Sequence, residues 1–292
     1  MLLKPRLARL TRALADLKQG DLGGVHPTRV AARRLRELLP ILPLEADASR
    51  KLNTRLRKLV RRLGRLRDAD VSLALIDRML DAERPVRHAL VKVREELRER
   101  QKKARVKEAA ERIQADGRRL VKKLDRLLAE LKDDTADPKR TREVAWAVNA
   151  RVVRRALVLR QTVEEAGSVY LPERLHKTRI ATRRLRYAVE LMADLSGTHR
   201  AAEHRSFERV QDELGRLHDV QTLMARVRRM QGSLLPSELK TWQELDALSI
   251  LLENRGRRLH AAYMHNRDTL LHVCERLAGR AAHGAAIKRK VS

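Results

Sequence analysis

Apolar residues recur every three or four positions along most of the chain, leucine above all, and polar residues fill the intervals. That spacing is the period of a helix with one buried face. It is interrupted at seven turn-rich or proline-bearing stretches: QGDLGG (19–24), LPLEADAS (42–49), ERP (83–85), DDTADP (133–138), EEAGSVYLP (164–172), LSGTH (195–199) and QGSLLPS (231–237). The pattern therefore predicts eight helical segments, near 4–18, 25–41, 48–81, 85–132, 139–166, 172–195, 199–231 and 236–279. The closing RAAHGAAIKRKVS lacks apolar periodicity, and residues 281–292 read as a mobile basic tail.

The eight segments are two sets of four. VHPTRVAARRLRELL (25–39) is answered by LHKTRIATRRLRYAV (175–189), an offset of 150, and RLGRLRDA (62–69) by ELGRLHDV (213–220), an offset of 151. Self-similarity over such a distance reveals the architecture before any motif is interpreted. The expected fold is all-α, with two pseudo-twofold-related four-helix bundles around a central basic cleft. Residues 1–133 form the first half, 134–138 the linker and 139–280 the second half.

The polar faces are unusual. At 100° per residue, His26, Arg29, Arg33 and Arg36 share a narrow sector opposite Ala31, Leu35, Leu38 and Leu39, with Arg34 at its edge. The second copy repeats this with His176, Arg179, Arg183 and Arg186, and Arg184 takes the place of Arg34. On the third segment Arg55, Lys58 and Arg62 continue a row begun by Lys51 and ended by Arg65; on the fourth, Arg94, Arg98, Lys102 and Arg105 align. The second half has thinner counterparts in Arg209 and Arg216, then Arg255 and Arg258. A solvated helix face normally mixes acids with bases for local support. Rows of cations alone repel each other, and an anion among them removes that cost.

Composition sharpens the picture. The 292 residues carry a net charge of +28, with 43% apolar and only 2% aromatic content. Residues 1–133 hold 36 basic and 19 acidic side chains and the remainder 30 and 19, so the halves carry +17 and +11. Arginine dominates the rows, and its planar fork matches phosphate oxygens. Nucleic acid is the default partner for so basic a chain. Against it stands the shortage of aromatic side chains on which single-strand and RNA readers stack bases. Duplex binding through the phosphate backbone stays open.

The duplicated H-x2-R-x3-R-R-x-R helix, each copy followed by L-G-R-L-[RH]-D, resembles the CHAD domain, the conserved histidine α-helical domain, over about residues 5–280. The resemblance implies non-enzymatic binding of inorganic polyphosphate and association with polyphosphate granules. It assigns phosphate contacts to His26, Arg29, Arg33, Arg34, Arg36, His176, Arg179, Arg183, Arg184 and Arg186; the rows on the other helices extend that site by periodicity. A basic helical protein bound to nucleic acid or ribosomes is the alternative, and nucleic acid is expected as a weaker competitor. Asp68 and Asp219 close the second motif and read as orienting partners for arginines, since a carboxylate facing phosphate repels it. The copies differ where Arg67 meets His218 and Arg62 meets Glu213, which predicts weaker binding by the second half.

No catalytic residues, metal or cofactor are expected. Phosphoryl transfer needs metal-binding carboxylates beside the phosphate, and the acids of the key helices, Glu37, Asp68, Glu190 and Asp219, are isolated. The E-x-E-x-K signature of the triphosphate-hydrolysing barrel fused to some CHAD domains is absent. A lone cysteine, Cys274, excludes an intrachain disulfide, and no window approaches a membrane span, so a cytoplasmic protein without membrane contact is expected.

Overall fold

The computed structural model describes residues 2–17, 24–103, 106–130, 138–197 and 201–289, apart from the side chains of 103, 106–108, 138, 201–202 and 280–289. The predicted linker before Pro138 and Arg105 lie outside these residues. Nine α-helices are described: α1 (Leu3–Ala15), α2 (Val25–Leu38), α3 (Ala46–Ala82), α4 (Arg87–Lys103), α5 (Val106–Glu130), α6 (Pro138–Ala166), α7 (Pro172–Ser196), α8 (Ala201–Gln231) and α9 (Leu239–Arg289). The fold is all-α, as the periodicity requires. Helices α4 and α5 together occupy the segment expected at 85–132, and α9 runs through the stretch read as a tail as far as Arg289.

The helices pair as the repeat dictates, α2 on α3 and α7 on α8 within the halves, then α2 on α7 and α3 on α8 between them. The buried residues form three clusters where the sequence suggested two. One unites α1, α2, the first half of α3 and α5 through Leu10, Leu14, Leu35, Leu56 and Leu124. Its counterpart unites α6, α7, the first half of α8 and the second half of α9 through Leu159, Leu185, Phe207 and Tyr263. The third is built from both halves: Ile76 and Met79 of α3, Leu90 and Val93 of α4, Leu223 and Val227 of α8, Leu245 and Leu248 of α9. At 37 residues α3 is about 55 Å long. Its leucine stripe can therefore enter one core at Leu52–Leu63 and another beyond Leu75.

The start of each histidine helix is fixed by a repeated threonine. Thr28 is fully buried, and its hydroxyl donates across the Ala13 and Gly24 carbonyls at 2.9 and 2.7 Å, tying α2 to the end of α1. Thr178, equally buried, does the same to the Thr162 and Arg174 carbonyls at 3.1 and 3.2 Å. At the far end of α7, Gly197 closes the helix at φ 66°, a left-handed conformation in which a Cβ is strained.

Ion pairs cross between the halves beneath the site. Glu37, almost wholly buried on α2, accepts from Arg151 at 2.9 Å and Arg155 at 3.0 Å, both on α6. Arg34 of α2 reaches Glu190 of α7 at 2.8 Å. A buried carboxylate held by two guanidiniums is compensated, and removing one partner would leave charge stranded.

Candidate anion-binding site

Each histidine helix turns its apolar face into its own core and its basic face toward the other. Ala31, Ala32, Leu35 and Leu38 are buried on α2, and Leu175, Ala181, Leu185 and Ala188 on α7. Arg29 and Arg33 of α2 consequently meet Arg179 and Arg183 of α7. All four are only partly exposed. Burial and their neighbours' charge push Arg29 down to about 10 and Arg183 down to about 9, and Arg179 is lowered for the same reasons. At neutral pH they remain cations, and the shifts reflect burial first and the charge of the neighbouring arginines second.

Compensation is thin and comes from the second motif. Asp68 on α3 lies 3.9 Å from Arg29, and Asp219, its counterpart on α8, offsets part of the charge on Arg179. The nearby Tyr187 hydroxyl and Asp68 partly offset the burial of Arg33. Around Arg183 the strongest influences are burial, Arg33 and Arg179, and Tyr187 is the opposing one; no carboxylate is among the leading causes. Gly64 of the L-G-R-L motif lies under the Arg29 guanidinium, where a Cβ would sit in ordinary contact, 3.7 Å from its nitrogens.

The histidines differ. His26 is exposed as the second residue of α2, and His176 lies one turn inside α7, half-buried. The His176 ring packs on that of His218 with centroids 4.8 Å apart. Burial, then the charge of Arg179 and His176, pushes His218 down to about 4, and His176 is lowered by burial and Arg179. Both are neutral imidazoles in the free protein near pH 7.

Other residues singled out in the sequence lie elsewhere. Arg34 and Arg186 flank the buried Tyr187 ring, 5.9 and 5.5 Å from its centroid, and both approach Glu190, at 2.8 and 3.6 Å. Arg34 thereby ties α2 to α7, while Arg186 approaches Glu190 from within its own helix, a structural role that the motif alone does not reveal. Arg36 donates to Asn53 at 2.9 Å, with exposed Arg184 and Arg57 close by. The row on α3 does not join the cluster: Asn53, Gly64 and Asp68 face α2, which puts Arg55, Lys58 and Arg62 on the opposite side, in a groove shared with Arg119 of α5. Arg94 pairs with Asp77 at 3.5 Å and Lys102 with Glu99 at 2.7 Å. Arg98, Arg209, Arg216 and Arg258 are exposed and Arg255 half-exposed on their helices. Sequence reasoning treated Arg67 and His218 as a difference between the copies and not as site residues, though both lie beside Arg179, and it left Tyr187 out of the site; the variable [RH] of the second motif was the available signal.

The fold and site define an all-α protein with an internally duplicated cluster of arginines between two equivalent helices. The CHAD domain family model matches residues 2–228, most of the chain, and the protein belongs to that family. Among solved structures the chain is similar to the crystal structure of the CHAD domain from the plant Ricinus communis, with a TM-score of 0.63, 21% identity, and 91% of this chain and 89% of that one covered. A search among curated protein sequences finds no match. No helix among the described residues is long and apolar enough to cross a membrane.

Proposed function

We propose that the protein binds inorganic polyphosphate without turning it over, with the ligand centred between α2 and α7. The convergence of Arg29, Arg33, Arg179 and Arg183 carries this reading, since Asp68 and Asp219 offset only Arg29 and Arg179 in part and no carboxylate is among the leading influences on Arg183. A chain of closely spaced phosphates supplies several charges within the span of four guanidiniums, each able to accept a forked pair of hydrogen bonds. Family membership supports it, because some CHAD domains bind polyphosphate. Asp68 and Asp219 are engaged by Arg29 and Arg179 and so serve to aim arginines, not to hold a metal for phosphoryl transfer. Cytoplasmic association with polyphosphate granules is the setting that follows.

The test is a titration with long-chain polyphosphate, duplex DNA and single-stranded RNA at equal phosphate concentration and physiological salt. Polyphosphate should bind tightest, and its affinity should fall about 100-fold or more in an Arg33→Gln, Arg183→Gln variant. Equal or tighter binding of nucleic acid, indifferent to those two arginines, would sink the proposal and leave the +28 charge as an unspecific surface.

A further inference from the structure

A second concavity lies on the far side of α3. A cleft of about 740 Å³ opens between α3, α5, the end of α4 and α8, within the range of small-molecule sites. Six arginines border it: Arg62 and Arg65 of α3, Arg100 of α4, Arg112 and Arg119 of α5, and Arg226 of α8. Among the described residues the one acid in its lining is Asp116, which pairs with Arg62 and lies 3.8 Å from Arg119. Arg226 is half-buried, its Nε has no hydrogen-bond partner, and burial together with Arg229 lowers its pKa.

The floor separates this cleft from the central cluster. Leu66, Leu97 and Ile113 form it, with Ala69 and Ala109 beside them. Such a floor gives a bare phosphate chain nothing to bind, whereas a flat heterocycle covers it and lies against guanidinium planes and arginine stems. Gln101, held by donating to Asp70 at 2.7 Å, adds an amide on the wall for the edge of a base. Past Asp116 the cleft continues into a smaller hollow of about 310 Å³ bordered by Arg55, Lys58, Arg62 and Arg119. One lobe fits a base and sugar, and the other concentrates cations where a short phosphate tail would lie.

We propose that this cleft binds a nucleoside triphosphate, base on the Leu66, Leu97 and Ile113 floor and phosphates toward Arg55, Lys58 and Arg119. Asp116 occupies Arg62 in the free protein and competes with the phosphates for it. The site does not depend on polyphosphate binding between α2 and α7.

Calorimetric titration of the full chain with ATP, tripolyphosphate and adenosine tests it. ATP should bind at least about tenfold tighter than tripolyphosphate or adenosine. Arg65→Gln with Arg119→Gln alters two exposed side chains that the fold does not need, and should weaken ATP about tenfold. Asp116→Asn should tighten it several-fold. The Arg33→Gln, Arg183→Gln variant should keep ATP binding whether or not it loses polyphosphate, so failure of one site is distinct from failure of the other. Tripolyphosphate binding as tightly as ATP, or ATP binding that ignores Arg65 and Arg119, would overturn the proposal.

Discussion

The two halves use one plan and differ where the site is built. In the first, α3 brings Arg67 to the cluster; in the second, α8 brings His218 at the same motif position, and it is neutral near pH 7. The first half places Arg62 against Asp116, and the second replaces that pair with Glu213 accepting from Asn266 at 2.7 Å. Glu190, which anchors Arg34 and Arg186, is matched at an offset of 150 by Pro40, which can anchor nothing. A repeat can preserve its arginines while changing the groups that set their charge. The structural asymmetry of the two halves lies in those supporting residues.

The largest expected contrast is between Arg67 and His218. Arg67→Gln should weaken polyphosphate binding about tenfold at pH 7.5, while His218→Gln stays within about twofold. His218→Arg should restore the symmetry and tighten binding. Equal losses in a filter-binding titration would show that the halves contribute alike.

The second contrast appears with pH. An unfolded histidine titrates near 6.5, while His218 in the folded chain stays neutral down to about 4. Between those values the unfolded chain holds more protons, so the free protein should lose stability as pH falls from 6.5 to 4. A polyanion favours imidazolium, so affinity should rise about fivefold as the pH drops from 7.5 to 5.5. His218→Gln should weaken both trends, leaving what His176 and, for stability, His260 contribute, since burial lowers these too; His26→Gln, at an exposed position, should change neither. Thermal melts and titrations at four pH values would check both.

Relief of repulsion is the third. Arg183→Gln removes one of four crowded cations and should raise the melting temperature of the free protein by about 3 °C while weakening ligand binding. A lower melting temperature would mean that Arg183 supports packing more than it strains it. The smallest effect is a difference: Thr28→Val and Thr178→Val should each cost about 1 kcal/mol in denaturant unfolding and agree within about 0.5 kcal/mol, since their contacts are copies.

Much of this was legible in the sequence. Leucine spacing placed the helices, and the repeat made Arg29 the equivalent of Arg179 and Arg33 the equivalent of Arg183. Periodicity reveals which residues share a face but not what that face meets. Arg55, Lys58 and Arg62 share a face as expected, yet it looks away from α2 because Asn53, Gly64 and Asp68 hold the inner side. The union of Arg34 with Glu190 spans 156 positions and follows from the approach of α2 to α7, which no local pattern contains. The third core was hidden for a related reason. An unbroken leucine stripe in α3 is equally compatible with one long core and with two in succession.

That third core has the form of a homodimer interface. The end of α3 and the start of α4 meet the end of α8 and the start of α9 on equal terms, as two copies of a half-length chain would across a twofold axis. In a homodimer every substitution appears on both sides at once. Joined in one polypeptide, the copies are released from that rule, and a glutamate can stand opposite a proline, or a histidine opposite an arginine, without its mirror image. Expressed as two separate polypeptides, the halves should still find each other through this core.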